Sequence, residues 1–220
     1  MNLSETWQTW LRVLTSPSEA TFEAERQKPS ATLSTALIWM VIAGVITGVL
    51  GYLQSIMMAQ SMRGAIPQML EVLDLPAEAE AQLVQISETG AFGGLGAASL
   101  GSIISVPLGF LIGVGILWLL ARLLGGTGEY GRYAYLNATY TAPMTILIAL
   151  LNLVPVLGGC LAFIIYIYEL VLTYYATKVE HQLSSGRALI VVLLPIIFVL
   201  LLVLCLVFFF VGILATMLRA

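Results

Sequence analysis

Five long apolar segments separated by short polar stretches dominate the hydrophobic pattern of the chain. They lie at about 32–58, 99–124, 134–154, 157–177 and 188–218. Each is close to the length of roughly 20 residues that an α-helix needs to cross the hydrocarbon core of a bilayer. The pattern therefore predicts an all-α, polytopic membrane protein, in which residues 32–220 form one domain of five transmembrane helices.

The third and fourth apolar segments are predicted to form a helical hairpin. The few residues around Asn152 and Pro155 that connect them are enough only for a turn, so the two helices must lie antiparallel and in contact. Pro143 in the third helix and Pro107 in the second each remove a backbone hydrogen bond. We therefore expect a kink at each proline.

Two pairs of glycines at a spacing of four residues indicate close helix contacts. Gly44 and Gly48 lie in the first span, and Gly109 and Gly113 lie in the second. Small residues at this spacing allow the backbone of another helix to approach closely. The sequence thus predicts one helix contact at each pair.

Residues 1–31 form an amphipathic region before the first span. Apolar residues make a single stripe on a helix over 3–15, and Trp7 and Trp10 lie on that stripe. Indole rings favour the membrane interface, so both tryptophans are predicted interfacial anchors. The alternative is that the stripe packs on the protein's own helices. A second short helix follows, with Ser16 as its predicted N-cap.

The longest polar stretch, residues 59–98, is predicted to be a helical loop outside the membrane. Apolar residues recur at helical spacing over 66–73, and a second helical piece is predicted over 77–86. Five carboxylates and a single Arg63 occupy this loop. They form either a solvated acidic face or a surface for a cation or a basic partner.

The distribution of Lys and Arg predicts the orientation of the protein. Positive residues precede the first span and flank the loops after the second and fourth spans, whereas the other side carries only Arg63 and Arg219. The positive-inside rule then puts the N-terminus in the cytoplasm, and the C-terminus and the loop 59–98 outside it.

Composition and motifs exclude several classes of function. The chain has 220 residues, of which 60% are hydrophobic and 10% are charged, whereas soluble domains have about 25% charged residues. A net charge of −3 without a basic patch argues against nucleic-acid binding. Without catalytic motifs or a second histidine, no enzyme activity, cofactor or metal is expected. The one histidine, His181, is expected to face solvent in a polar loop over 178–187.

Glu169 is the strongest candidate for a functional residue, because it is a carboxyl inside the fourth span. It lies about eight residues from the predicted end of that span, about 12 Å deep at 1.5 Å per residue. An unpaired carboxylate at membrane depth costs about 2.5–3.5 kcal/mol. Asn137, Tyr140 and Thr141 lie at comparable depth on the third span, and we hypothesise a buried polar cluster of these four residues. The cluster would either join helices structurally or bind a proton or a cation.

Four short motifs follow one another along the chain. They are W-L-R-V-L-T-S-P over 10–17 followed by Phe22, L-L-G-G-T-G over 123–128 with Tyr130, Tyr135 with Ala142-Pro143, and G-R-A-L over 186–189. Their order resembles the Yip family of Ypt/Rab-interacting proteins, over roughly residues 7–210. The resemblance implies a five-span membrane protein like the family's prokaryotic members. For eukaryotic members it implies contact with Rab-type GTPases and a role in vesicle budding.

Two hypotheses of function remain open. The first is a non-enzymatic scaffold or adaptor in the lipid bilayer of a prokaryotic cell membrane, which organises the membrane or recruits a protein partner at its cytoplasmic face. The second is a small transporter or channel with Glu169 in its pathway. Because five spans cannot divide into equal repeats, a transporter would have to be a homo-oligomer, most simply a dimer.

Overall fold

The chain folds into a bundle of helices. The computed structural model describes residues 3–73, 101–154 and 157–217, and this part of the chain contains no strand. The helices are α1 Leu3–Thr15, α2 Glu19–Arg26, α3 Leu33–Leu73, α4 Ser102–Leu123, α5 Tyr130–Leu151, α6 Leu157–His181 and α7 Ser185–Met217.

Five of these helices contain stretches that are long and apolar enough to cross a membrane. The stretches are Leu33–Met57, Ser102–Leu123, Tyr130–Leu151, Gly158–His181 and Ser185–Val211. Large apolar side chains are exposed along all of them, most densely over residues 197–211 of α7. Such a surface suits lipid rather than water. The predicted all-α fold with five apolar spans is confirmed.

Helix α5 is the centre of the bundle. It packs against α3 and α6 and also contacts α1, α2 and α4. All residues from 133 to 140 are buried, including three tyrosines. Phe22 of α2 is fully buried as well, with its ring centroid 6.3 Å from that of Tyr140 and 6.2 Å from that of Tyr175. The N-terminal helices therefore belong to the same core as the spans.

The two sides of the bundle have different connections. On one side, here called the N-terminal side, lie α1, α2, the α4–α5 loop and the α6–α7 loop; the Thr127 N–H donates to the His181 carbonyl there (3.3 Å). On the opposite side, the Gln54 side chain donates to the carbonyl of Asn152 at the α5–α6 turn (2.7 Å). The short turn leaves α5 and α6 antiparallel and in contact.

Helix α2 begins later than the sequence pattern predicts. Its N-cap is Ser18, whose hydroxyl accepts a hydrogen bond from the Thr21 N–H at 3.1 Å. The prediction of Ser16 as the cap was wrong. Ser16 still belongs to the last turn of α1, because its N–H donates to the Arg12 carbonyl at 3.0 Å. It is therefore two residues too early to cap α2.

Helix α3 is longer than the predicted first span. Its backbone continues without a turn from Leu33 to Leu73, so the helical piece predicted over 66–73 is part of the same helix. The rest of the predicted loop, from residue 74 onward, lies outside the described residues.

The two glycine pairs behave differently. A Cβ on Gly44 would lie 2.8 Å from the carbonyl oxygen of Ser102, and the Ser102 hydroxyl donates to the Gly44 carbonyl at 2.9 Å. Gly44 lets α3 and α4 approach closely, as predicted. A Cβ on Gly109 or Gly113 would meet no atom of the described residues within 4 Å. The predicted contact at the second pair was wrong, because that face of α4 is not covered by another described helix.

Candidate functional site

A fully buried carboxylate joins the N-terminal helices to the spans. The Glu25 side chain, with no exposed surface, accepts from Lys28 Nζ at 2.7 Å and from Arg12 Nη1 at 3.4 Å. It also accepts from the Tyr135 hydroxyl of α5 at 3.2 Å. Lys28 donates in addition to the hydroxyl of Thr9 at 3.0 Å. These five residues, the Glu25 network, connect α1, the end of α2 and α5 through one carboxylate.

A second buried carboxylate holds the α4–α5 loop against the end of α6. Glu180 Oε1 accepts from the Glu129 N–H at 2.8 Å and from Arg132 Nε at 3.3 Å. Glu180 Oε2 is buried and has no hydrogen-bond partner among the described residues. A Cβ on Gly128 would lie 2.8 Å from Glu180 Cγ. The loop therefore requires glycine at this position for its close approach to α6.

His181 is buried beside Glu180, so the prediction that it faces solvent was wrong. Helix α6 ends at His181, and the next residue, Gln182, has a left-handed φ of 52°. The imidazole ring packs edge to face on Tyr133 with centroids 4.9 Å apart, and Gly126 packs directly against it. Neither ring nitrogen has a partner among the described residues. The residues around His181 in the sequence are polar and therefore suggested exposure to solvent. In the fold, the α4–α5 loop covers Glu180 and His181.

Three of the four residues of the hypothesised intramembrane cluster, Asn137, Tyr140 and Glu169, are connected by hydrogen bonds. The Tyr140 hydroxyl donates to Asn137 Oδ1 and shares a 2.8 Å hydrogen bond with the Thr173 hydroxyl. Thr173 donates in turn to the backbone carbonyl of Glu169 at 2.7 Å. The Glu169 and Thr141 residues are both half-buried.

Glu169 is deeper along its helix than the sequence pattern indicates. Helix α6 continues to His181, 12 residues beyond Glu169, which is about 18 Å at 1.5 Å per residue. Thr173, absent from the hypothesised cluster, makes the hydrogen bonds that connect α5 and α6 at this level. Thr173 follows Glu169 by four residues and so lies on the same face of α6. That spacing is the signal by which it could have been found.

The two candidate interfacial anchors lie in different surroundings. Trp7 is 59% exposed on α1. Trp10 is half-buried and packs edge to face on Trp39 of α3, with ring centroids 5.9 Å apart. The apolar stripe of α1 thus faces the protein's own helices at Trp10 and an outer surface at Trp7. The other two candidates, Pro107 and Pro143, lie inside α4 and α5, which both continue through them.

Most basic side chains on the N-terminal side are paired with carboxylates. Besides the pairs to Glu25 and Glu180, Lys178 contacts Glu19 and Arg26 contacts Glu23. The hydrogen bond from Arg26 holds the pKa of the Glu23 carboxyl below its usual range. These pairs fix the two short N-terminal helices to each other and to α6.

Two arginines are exceptions among the described basic residues. Arg122 lies over the ring of Trp118, 5.2 Å from its centroid, and Arg187 donates to the Leu124 carbonyl at 3.3 Å. Neither forms a salt bridge within the described part of the chain. Both are exposed, and both flank the start of the α4–α5 loop. They form the unpaired arginine patch.

The described residues contain no group of three or more His, Cys, Asp or Glu that could hold a metal ion. Cys160 and Cys205 are both free and exposed. The fold and its buried ion pairs define a polytopic α-helical membrane protein whose polar groups mainly join helices.

Comparison with protein families matches residues 11–215 to the Yip1 domain. The match covers nearly the whole chain, and the protein therefore belongs to the Yip1 domain family. No curated protein matches the chain. No solved structure matches it either.

Proposed function

We propose that this protein is a non-enzymatic scaffold or adaptor that recruits a protein partner on its N-terminal side. Membership of the Yip1 domain family supports a role in protein interactions within a membrane. We assign the N-terminal side to the cytoplasm, and the membrane to a prokaryotic cell. Arg12, Arg26, Lys28, Arg122, Arg132, Lys178 and Arg187 are all in or beside the elements of this side, in agreement with the positive-inside rule.

The unpaired arginine patch is the observation on which the proposal rests. The other described cations on this side are held by carboxylates of the same chain, so they have little attraction left for a partner. Arg122 and Arg187 are exposed and unpaired, and their guanidinium groups can bind carboxylates in a bidentate manner. The expected partner is a protein with an acidic surface, held beside the α4–α5 loop.

The test is photo-crosslinking in native membranes. A photoreactive residue replaces Ser184, which is exposed in the α6–α7 loop, and a matched control replaces Val154, exposed at the opposite turn. We expect a reproducible protein adduct at position 184 and none at position 154. Combining Arg122→Gln with Arg187→Gln should remove the adduct.

The matched control for the charge change is Arg26→Gln, which removes a cation already paired with Glu23. This variant should keep the adduct at position 184. Adducts of equal yield at both faces, or an adduct that survives loss of both arginines of the patch, would refute the adaptor proposal in this form.

A small transporter or channel is the second candidate, because polar groups of α5 and α6 form a connected chain at membrane depth. That chain runs from Asn137 through Tyr140 and Thr173 to the backbone carbonyl of Glu169, whose side chain belongs to a half-buried residue at the same level. The exposed apolar half of α7 offers a surface on which a second copy could complete a pathway. Liposomes that conduct an ion with the native protein, and lose conductance with Glu169→Gln but not with Glu19→Gln, would support this function. Sealed liposomes with the native protein would contradict it.

A further inference from the structure

A polar pocket of about 310 Å³ lies between α1, the α2–α3 connection and the first turns of α3 and α5. Hydroxyl-bearing residues from all four of these elements line it, and Glu5 of α1 is its carboxylate. They are Thr6, Thr9, Ser30, Thr35 and Tyr135. The pocket is outside the polar chain of α5 and α6 and outside the unpaired arginine patch. It borders the Glu25 network, because Thr9 and Tyr135 belong to that network and also line the pocket.

The charge of the pocket favours a cation with hydrogen-bond donors. No Lys or Arg lines it. The nearest cation, Lys28, is held by Glu25 and by the Thr9 hydroxyl. Glu5 is exposed and forms no salt bridge within the described residues. A carboxylate surrounded by hydroxyl oxygens suits a primary ammonium, whose three N–H donors need several acceptors.

The hydroxyl groups of the pocket can donate as well as accept hydrogen bonds. Trp39 lines the pocket and is 3% exposed, and its indole N–H is enclosed by the protein. The donors that the pocket offers to a ligand are therefore its hydroxyl groups. A ligand that carries both an ammonium group and an anionic oxygen would suit both the Glu5 carboxylate and these hydroxyl donors.

The position of the pocket points to a lipid as the source of these groups. Thr35, Ile38 and Trp39 are in the first two turns of the first span, which begins at Leu33. The ends of spans are at the level of the lipid headgroups, where tryptophan is enriched. Ile38 lines the pocket and is 47% exposed, so an apolar surface continues from the pocket onto the outside of α3.

We propose that this pocket binds a phospholipid whose headgroup carries a primary ammonium, as in phosphatidylethanolamine. The ammonium donates to the Glu5 carboxylate and to the surrounding hydroxyl groups. The phosphate oxygens accept from the hydroxyl groups of the pocket. The acyl chains leave along Ile38 into the bilayer. The lipid would thus contact both α1 and α3 at their junction.

The experiment is native mass spectrometry of the full chain, released from micelles that contain equal amounts of phosphatidylethanolamine, phosphatidylcholine and phosphatidylglycerol. We expect the ethanolamine lipid to be retained about fivefold more than the other two, which corresponds to about 1 kcal/mol at 1.4 kcal/mol per tenfold. Glu5→Gln should abolish this preference, because it removes the charge at nearly constant shape. Thr6→Val should weaken it about twofold.

Glu19→Gln is the matched control, since Glu19 is an exposed carboxylate on the same side but outside the pocket. It should leave the preference unchanged. Equal retention of all three lipids, or an unchanged preference in Glu5→Gln, would overturn the proposal. Equal retention of the choline and ethanolamine lipids alone would overturn the assignment to a primary ammonium. Competition with soluble phosphoethanolamine, measured on the unmodified protein, tests whether the pocket binds a lipid or the free headgroup. If phosphoethanolamine displaces the bound lipid at a concentration equal to that of the lipid, the lipid assignment is overturned.

Discussion

The Glu25 network should determine whether the two N-terminal helices stay docked on the spans. Glu25→Gln is the sharpest perturbation, because it removes one charge at nearly constant volume. In the variant, Lys28 and Arg12 face a neutral amide where each now contacts a carboxylate. The amide can still accept one hydrogen bond from Tyr135. The main effect is therefore that Lys28 and Arg12 lose the negative charge that compensates theirs.

The expected cost follows from the exposure of the three charged groups. Removing one partner of a fully buried ion pair costs about 3–5 kcal/mol, because the other charge remains without compensation. Here only the Glu25 side chain is fully buried, whereas Lys28 is 23% and Arg12 48% exposed. Both cations can turn toward water, which lowers the expected cost to about 2 kcal/mol.

Amide hydrogen exchange in lipid nanodiscs measures this cost directly. A loss of about 2 kcal/mol in the docking of α1 and α2 should accelerate exchange of their amides about 30-fold, since 1.4 kcal/mol corresponds to a factor of ten. The amides of α5 should change much less. Glu23→Gln is the matched control, because it breaks a more exposed pair with Arg26 and should cost about 0–1 kcal/mol.

Two results would refute this reasoning. The first is equal acceleration of exchange in Glu25→Gln and Glu23→Gln, which would mean that burial of the carboxylate contributes nothing. The second concerns the double variant Glu25→Gln with Lys28→Gln, which removes one uncompensated cation. It should restore part of the protection, and a further loss of protection would show that an unpaired charge is not the cause.

Three further substitutions test how closely the helices are packed, each by thermal unfolding in detergent. Tyr140→Phe removes two buried hydroxyl hydrogen bonds and should destabilise the protein by about 1–3 kcal/mol; an unchanged midpoint would contradict the connected polar chain. Gly44→Ala forces a methyl group against the first turn of α4 and should cost about 1–3 kcal/mol, whereas Gly109→Ala, in open space, should be neutral or stabilising. Gly128→Ala should destabilise the protein by a similar amount, because the loop backbone lies against α6 at this position. Gly186→Ala should not destabilise it, because a Cβ there would have no atom within 4 Å. Equal destabilisation by Gly44→Ala and Gly109→Ala, or by Gly128→Ala and Gly186→Ala, would contradict the described contacts.

The number of spans could be predicted from the sequence because each span needs its own long apolar segment. The hairpin of α5 and α6 followed from the short turn, and the contact at Gly44 followed from the glycine spacing. Helix ends were less predictable. His181 lies in a polar stretch that resembles a loop in the sequence, but tertiary contacts keep it in the last turn of α6. Ser16 resembles the start of α2, but its N–H makes the last backbone hydrogen bond of α1.

The buried carboxylates could not be identified from the sequence. Glu25 has three polar partners, from α1, from α5 and from the segment after α2, and Glu180 has Arg132 and a loop N–H. In the sequence both appear as ordinary surface glutamates, since neither lies in an apolar run. Glu169 stood out because its neighbours in the sequence are apolar, although it is only half-buried whereas Glu25 and Glu180 are buried.

The sequence by itself determined that this protein is a helical membrane protein with five apolar spans and an amphipathic N-terminal region. The thickness of a bilayer sets the length of an apolar segment, and the period of a helix sets the spacing of apolar residues, so both can be recognised from local patterns. The tertiary structure alone decided which polar residues are buried together. Charge compensation depends on distances between helices that are far apart in the chain, and no local pattern records those distances. The docking of α1 and α2 through Glu25, the enclosed His181 and the pocket at Glu5 all arise from that assembly.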